Sequence, residues 1–261
     1  MSLPNTHYGT EYISSLLDGK KKIFFAGIGG VSMCSLAHIT HLRGHEVCGY
    51  DRTPSKSTKA LEDEGIAVYY ESDADHMKDV DLLVYTVAIP ADNEEYAYAG
   101  ENSVPCVSRA DYLGYLMSGY EKRIGVSGMH GKSTTTSMLS HIFSTAGLDP
   151  TVSCGAVMLD EGNAYRIGGN EFFIFEACEY MDSFLDFYPT TAIVLNIEMD
   201  HVDYFKSMAQ IETSFGKFVR RCGADGTAVV NAGDANVMRA VTGFEGHTVT
   251  FGSDCTEADY S

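Results

Sequence analysis

The strongest constraint on this chain is a repeated order: a short run of continuous apolar residues, a glycine or polar turn, then a stretch with helical spacing. Strand character falls at Ile23–Ala26, Glu46–Tyr50, Leu82–Val87, Pro105–Ser108, Arg123–Ser127, Thr151–Ser153, Phe172–Phe175, Thr191–Asn196, Ala228–Asn231 and Thr248–Phe251. Between such runs, Met33, Leu36, Ala37 and Thr40 recur at i, i+3, i+4, i+7, as do Leu139, Ile142, Phe143 and Ala146, which is the period of one helix face. Strands that are apolar on both faces need cover on both, so the pattern implies parallel sheets wrapped by helices, an α/β fold. A parallel sheet also brings its strand carboxyl ends to one edge, where ligands bind.

The series divides in two. Residues 1–20 read as an N-terminal extension, 21–118 as one domain and 119–261 as another, with the polar stretch Met117–Lys122 as the joint. The second series stops just after a strand, with no closing helix. The expectation is therefore a domain that ends incomplete.

Each series opens with a glycine-bearing turn. In the first, Gly27-Ile28-Gly29-Gly30-Val31-Ser32-Met33 follows the first strand. Glycines let backbone approach a diphosphate, and the helix behind them offers unpaired N–H groups and a partial positive charge. Asp51 ends the next strand, where a Rossmann-like domain carries its ribose-binding carboxylate. The third glycine of a dinucleotide fingerprint falls at Ser32, so the turn favours a nucleotide diphosphate over a nicotinamide dinucleotide; a glycine turn without ligand is the plainer alternative.

The second turn is Gly128-Met129-His130-Gly131-Lys132-Ser133-Thr134. A lysine after glycine sets one mobile cation against β- and γ-phosphates, and the next hydroxyl is a ligand for magnesium. Only the shorter G-x-x-G-K-S core of a P-loop is present. Around it, polar groups stand where apolar strands end: Glu176 and Glu179; Asn196, Glu198, Asp200 and His201; Asn231 and Asp234. Carboxylates and a histidine beside a triphosphate suit a divalent cation. Singly, each has a structural alternative, such as a helix-terminal charge for Glu176 or a packed imidazole for His201.

Composition narrows the function further. With 18 basic and 36 acidic residues the net charge is −18, spread over both halves, and this field opposes general nucleic-acid binding. Seven scattered cysteines form no C-x-x-C, which points to reduced thiols and a cytoplasmic protein rather than a disulfide frame. No run approaches the ~18 apolar residues of a membrane span. No protein partner is identifiable.

Taken in order, GIGGVSM, TVAIPADNEE, GVSGMHGKSTTT, FEACEYMDSFL, NIEMDHVDYF and VVNAGDANV resemble the Mur ligase family, from about Lys21 to Tyr260. The resemblance implies a Rossmann-like domain for a UDP substrate, then a P-loop-type ATP-binding central domain that is incomplete here. It implies ATP-dependent ligation of L-alanine to UDP-N-acetylmuramate through an acyl phosphate, in peptidoglycan precursor synthesis, with ATP and Mg2+ as cofactors. The alternatives are a related muropeptide-recycling ligase and a non-catalytic UDP-sugar-binding fragment. On that template Lys132, Glu176 and His201 are catalytic. Gly128, Met129, His130, Gly131, Lys132, Ser133 and Thr134 bind ATP phosphates, with no separate role for the His130 imidazole. Ser133 and Glu176 hold a first magnesium and His201 a second. Gly27, Gly29, Gly30, Val31, Ser32, Met33, Asp51 and Thr86 meet the UDP substrate. Cys178 and Tyr180 stand where family members often carry Asp and Ser. The family's adenine-contacting H-N-x-x-N segment and third domain have no counterpart here, so weak or absent ligation is expected of this chain alone.

Overall fold

The computed structural model describes residues 3–253 and 255–261. It separates into two compact units, Met1–Leu116 and Met117–Ser261. Unit 1 has a five-stranded parallel sheet in the order β3-β2-β1-β4-β5, built from β1 (Lys22–Ala26), β2 (Glu46–Tyr50), β3 (Ala67–Tyr69), β4 (Leu82–Tyr85) and β5 (Cys106–Ser108). Its helices are α1 (Thr10–Leu16), α2 (Val31–Leu42), α3 (Lys56–Asp63), α4 (Glu94–Glu101) and α5 (Arg109–Met117). Burial of Ile23, Phe24, Phe25 and Ala26 along β1, and of Leu82 to Tyr85 along β4, fits strands covered on both faces.

The first 20 residues are tied to this unit. Leu3, Ile13 and Leu17 are buried, and Tyr85 donates to the Pro4 carbonyl at 2.7 Å. The Asp111 carboxylate accepts from Thr6 Oγ1, Tyr8 N and Gly9 N at 2.9, 2.8 and 3.2 Å.

Unit 2 has a seven-stranded sheet, β12-β11-β10-β6-β9-β7-β8. Its strands are β6 (Lys122–Ser127), β7 (Thr151–Ser153), β8 (Tyr165–Arg166), β9 (Phe172–Glu176), β10 (Thr191–Val194), β11 (Thr227–Asn231) and β12 (His247–Phe251). All pairings are parallel except β7 with β8, so the sheet is mixed at one edge. The helices are α6 (Lys132–Thr145), α7 (Met208–Arg220) and α8 (Ala235–Ala240). An aromatic cluster fixes α7 against the segment Tyr180–Asp186 that follows β9: Phe184 stacks on Phe218 at 4.8 Å and meets Phe215 edge-on at 5.3 Å.

The sequence reading recovers ten of these strands and misses β3 and β8. Both are short edge strands, and their residues are half-exposed apart from the exposed Ala67, so neither shows a continuous apolar run. Its Leu82–Val87 and Thr191–Asn196 run too far. Pairing stops at Tyr85 and Val194, and the residues beyond are loop.

The topology sets the site. In each sheet the chain reverses its direction of growth at the strand that precedes the glycine turn, β1 between β2 and β4, and β6 between β10 and β9. A crevice opens at such a switch point, because the flanking loops leave on opposite sides.

Candidate functional site

In unit 1 the turn after β1 is braced from below. Gly27 N and Ile28 N both donate to the Tyr50 carbonyl, at 2.7 and 3.0 Å. Gly27 has φ +86°, and a Cβ there would lie 2.6 Å from Thr86 Cγ2, so glycine is needed both for conformation and for the approach of Thr86. Asp51 accepts from Gly29 N at 2.9 Å and from Thr53 N at 3.2 Å, so its carboxylate holds the turn's own backbone. Val31, Ser32 and Met33 form the first turn of α2, whose amides lack intrahelical partners, and the N-cap Gly30 supplies no side chain to cap them. Arg109, directly after β5, donates from Nη1 to Ser32 Oγ at 3.2 Å. A guanidinium thus joins a helix N-terminus, a combination that suits a phosphate.

In unit 2 the loop after β6 turns through Gly128 (φ +142°) and Gly131 (φ +85°), the latter being the N-cap of α6. A Cβ on Gly128 would sit 3.1 Å from Leu195 Cβ and 3.2 Å from Asn196 N, so the loop packs tightly on the end of β10. Asn196 clamps it. Its Oδ1 accepts from His130 N at 2.8 Å, its Nδ2 donates to His130 O at 2.9 Å, and its carbonyl accepts from Met129 N at 3.3 Å. Asn196 is held in turn by its neighbours: Asn231 Nδ2 donates to Leu195 O at 3.0 Å, Asp234 Oδ2 accepts from Ile197 N at 2.9 Å, and Asn236 Nδ2 donates to Ile197 O at 2.7 Å. Asn231 and Asp234 therefore brace the β10 loop.

Lys132 and His201, 69 positions apart in sequence, converge on one carboxylate, that of Glu179. Lys132 Nζ lies 3.2 and 3.1 Å from its two oxygens and donates to Gly128 O at 2.6 Å. His201 Nε2 is 3.1 Å from Glu179 Oε1. The Glu179 side chain is 1% exposed, against 16% for Lys132 and 32% for His201, so this is a buried acid facing two partly open partners.

Glu176 and Ser133 gather around a different group. Glu176 Oε1 accepts from Gly155 N at 2.5 Å and from Cys154 Sγ at 3.1 Å, and the same thiol lies 3.6 Å from Ser133 O. Burial pushes the Cys154 thiol up to about 11, so it stays protonated at neutral pH. Beside it a cavity of about 330 Å3 is lined by Ser133, Thr134, Ser137, Met138, Cys154 and Val157.

Sequence reasoning placed Glu179 and Asn196 among the strand-end groups around the loop but singled out neither, because spacing does not say which carboxylate turns inward. It missed Arg109, although that residue also stands at a strand end. Of the other strand-end acids, Asp200 accepts from His201 N at 2.6 Å, and Glu198 lies 3.8 Å from the His130 imidazole in an exposed position. Among the described residues no three or more His, Cys, Asp or Glu side chains converge to hold a cation; the carboxylates and imidazole beside the loop suit Mg2+ only with nucleotide phosphates and water as the remaining ligands.

These features define an α/β protein with a glycine turn between strand and helix in each of two units, the second turn flanked by lysine, carboxylates and a histidine. Residues 22–121 match the model described as Mur ligase family, catalytic domain, and residues 126–261 that of the Mur ligase middle domain; the chain belongs to the Mur ligase family. It is 43% identical over 237 residues to the UDP-N-acetylmuramate–L-alanine ligase of Clostridium novyi, covering 91% of this chain and 52% of that protein. The ligase of the same name from Caldanaerobacter subterraneus is 44% identical over 236 residues, 90% and 51% of the two chains. The chain thus spans about half the length of the curated relatives it matches. Among solved structures, the UDP-N-acetylmuramate-alanine ligase of Thermotoga maritima superposes with TM-score 0.79 at 30% identity, covering 90% of this chain and 53% of that one. The UDP-N-acetylmuramate:L-alanyl-gamma-D-glutamyl-meso-diaminopimelate ligase of Neisseria meningitides gives 0.81 at 29%, covering 89% and 78%.

Proposed function

We propose that this chain carries the UDP-substrate-binding and ATP-binding units of a cytoplasmic ligase that joins L-alanine to UDP-N-acetylmuramate in peptidoglycan synthesis. The observation that carries the reading is the 43% identity to ligases of that name across both units, together with a phosphate loop whose lysine shares a buried carboxylate with His201. The higher identity to these relatives favours alanine over the peptide taken by the Neisseria enzyme, whose 29% identity accompanies a similar superposition. Among the described residues no helix is long and apolar enough to cross a membrane.

In this reading the turn Gly27–Met33, Thr86 and Arg109 receive the UDP diphosphate, with Asp51 holding the turn in shape. With the Met129 and His130 amides held by Asn196, the loop presents the backbone N–H groups of Gly131–Thr134 to ATP, and Lys132 neutralises the γ-phosphate. Ser133 and Glu176 would hold a first Mg2+ and His201 a second, to spread the negative charge that builds up during phosphoryl transfer. The lactoyl carboxylate takes the γ-phosphoryl group and releases ADP; the alanine amine then attacks the acyl carbon and phosphate leaves. The Asn196 clamp keeps the loop amides aimed, so their orientation is set before nucleotide arrives.

Calorimetric titrations with UDP-N-acetylmuramate and, separately, MgATP test the reading. Two independent binding events, each lost on substitution within one unit only, are expected. Absence of both would refute it, and phosphate release on adding alanine would show that these two units suffice for turnover.

A further inference from the structure

Residues 3–9 lie ahead of the region matched to the family, which opens at residue 22, and the ligase reading gives them no task. They run along the carboxyl ends of β4 and β5. Leu3 N donates to Val87 O at 3.2 Å, next to Thr86, and Tyr85 Oη donates to Pro4 O at 2.7 Å. Thr6 then meets the start of α5, where Ser108 directly precedes the helix, Arg109 is its first residue and Asp111 its third. A serine and an acid at this spacing close a reciprocal pair in many helices: the hydroxyl takes the third N–H, and the acid reaches back to the serine N–H. Ser108 Oγ lies 3.5 Å from Asp111 N, at the limit of the first bond. The second bond is replaced. Ser108 N donates to Thr6 Oγ1 at 2.9 Å, and Thr6 Oγ1 donates to Asp111 Oδ2 at 2.9 Å. Thr6 N also donates to Ser108 Oγ at 3.0 Å, so one threonine, 102 positions upstream, closes the cap. Asp111 is 3% exposed, and its charge is met by three donors from residues 6–9.

Resting on the reading of unit 1 as the UDP-substrate unit, we propose that Thr6 is a positioning residue for that substrate: it completes the cap of α5 and thereby holds Arg109, the first residue of the helix, against Ser32 Oγ at 3.2 Å, where the diphosphate is received. Without the hydroxyl, Ser108 N and the Asp111 carboxylate lose their common partner and the first turn of α5 frays. The Arg109 side chain is long, and a frayed base leaves it to be ordered by the ligand. With the cap closed, that ordering is complete before the substrate arrives, so less binding energy is consumed. The segment ahead of the family region is thus part of the substrate-binding machinery, acting through Arg109 without touching the substrate.

The test uses the full chain and three readouts: calorimetric titration with UDP-N-acetylmuramate, the thermal midpoint, and, without ligand, the heteronuclear NOE of the Arg109 Nε–H group in isotope-labelled protein, assigned by its loss in Arg109→Ala. Thr6→Val removes the hydroxyl and keeps the shape. It should weaken UDP-N-acetylmuramate by about fivefold, the cost of ordering one long side chain on binding, and lower the NOE. Thr6→Ser should restore both. Thr6→Ala repeats the measurement with a smaller side chain, so that a packing fault peculiar to valine is recognised. In an Arg109→Ala background, Thr6→Val should cost no further affinity, because its effect passes through the arginine. Valine and alanine variants that bind as the wild type does while the thermal midpoint falls would make the segment structural only and overturn the proposal. A loss that adds in full to that of Arg109→Ala would overturn it too. A wild type that binds no UDP-N-acetylmuramate would remove the substrate reading alone, and the NOE, read without ligand, would still decide whether Thr6 holds Arg109.

Discussion

Asn196→Ala isolates what the clamp on the phosphate loop contributes. The substitution removes two hydrogen bonds to His130, at 2.8 and 2.9 Å, and leaves the backbone bond from Met129 N to the residue 196 carbonyl. A typical bond contributes about 1 kcal/mol net, and Asn196 is half-buried with the His130 groups near solvent, so the loss is about 1–2 kcal/mol. For a unit of this size that lowers the thermal midpoint by about 3–8 °C. ATP affinity should fall by about tenfold, since loop amides that wander must be ordered by the ligand. Asn196→Asp keeps the acceptor for His130 N but turns an oxygen toward His130 O and adds a charge near the phosphates. Its affinity loss should therefore exceed its stability loss. Differential scanning calorimetry and equilibrium binding of a fluorescent ATP analogue measure the two quantities. An alanine variant that loses stability yet binds ATP within twofold of wild type would refute the idea that the clamp orients the loop.

Three further outcomes are expected. Lys132→Ala should abolish ATP binding, leave UDP-N-acetylmuramate binding nearly intact, and destabilise unit 2 by roughly 3 kcal/mol through the stranded Glu179 carboxylate; paired titrations and calorimetry check this. Arg109→Ala should weaken UDP-N-acetylmuramate by about tenfold through loss of a charge-assisted contact, with ATP affinity unchanged, as read by the same titrations. Burial lowers the pKa of His38 and His45 below the usual 6.5, so the unfolded chain binds protons that the folded chain resists. The thermal midpoint should therefore fall as pH drops below about 6.5 and be insensitive to these groups above it. His38→Gln should flatten that slope, and an unchanged slope in His38→Gln/His45→Gln would exclude both histidines as its source.

Much of this was legible because the deciding signals are local. Continuous apolar runs such as Phe172–Phe175 announce strands covered on both sides, and the G-x-x-G-K-S core places a lysine at a helix start wherever it occurs. What stayed hidden depends on partners far apart in the chain. Asp51 ends its strand as a ribose-binding acid would, but whether its oxygens face solvent or Gly29 N is decided by the turn 22 residues earlier. Glu176 and Glu179 look equivalent in sequence. The first reaches back to Gly155 while the second reaches across to Lys132 and His201, because the chain between and beyond them does not continue as a regular helix. The edge strands β3 and β8 escaped for the converse reason: their pairing needs little burial, so composition carries little trace of it.

The loops after β9 and β10 explain how the half-buried His201 is kept in place. Met181, Asp182 and His201 all adopt left-handed backbone, at φ 53°, 56° and 49°, a conformation that costs roughly 1 kcal/mol or more for a residue with a Cβ and persists only where surroundings over-determine it. The surroundings do so here. Tyr204 donates to Asp182 Oδ2 at 2.7 Å while Ser214 Oγ donates to its other oxygen, and in the reverse direction Tyr180 donates to Asp203 Oδ2 at 2.7 Å. These reciprocal tyrosine–aspartate bonds zip the two loops together, and the Tyr180 ring lies 4.9 Å from that of His201. The bond with Asp203 also raises the Tyr180 pKa and lowers that of Asp203, so each group stays in the protonation state the bond requires at neutral pH. Tyr180 thus reaches a residue that a serine at this position would be too short to reach. The strain in residues 181, 182 and 201 is offset by bonds between the same two loops, and the imidazole is held at the rim against Glu179.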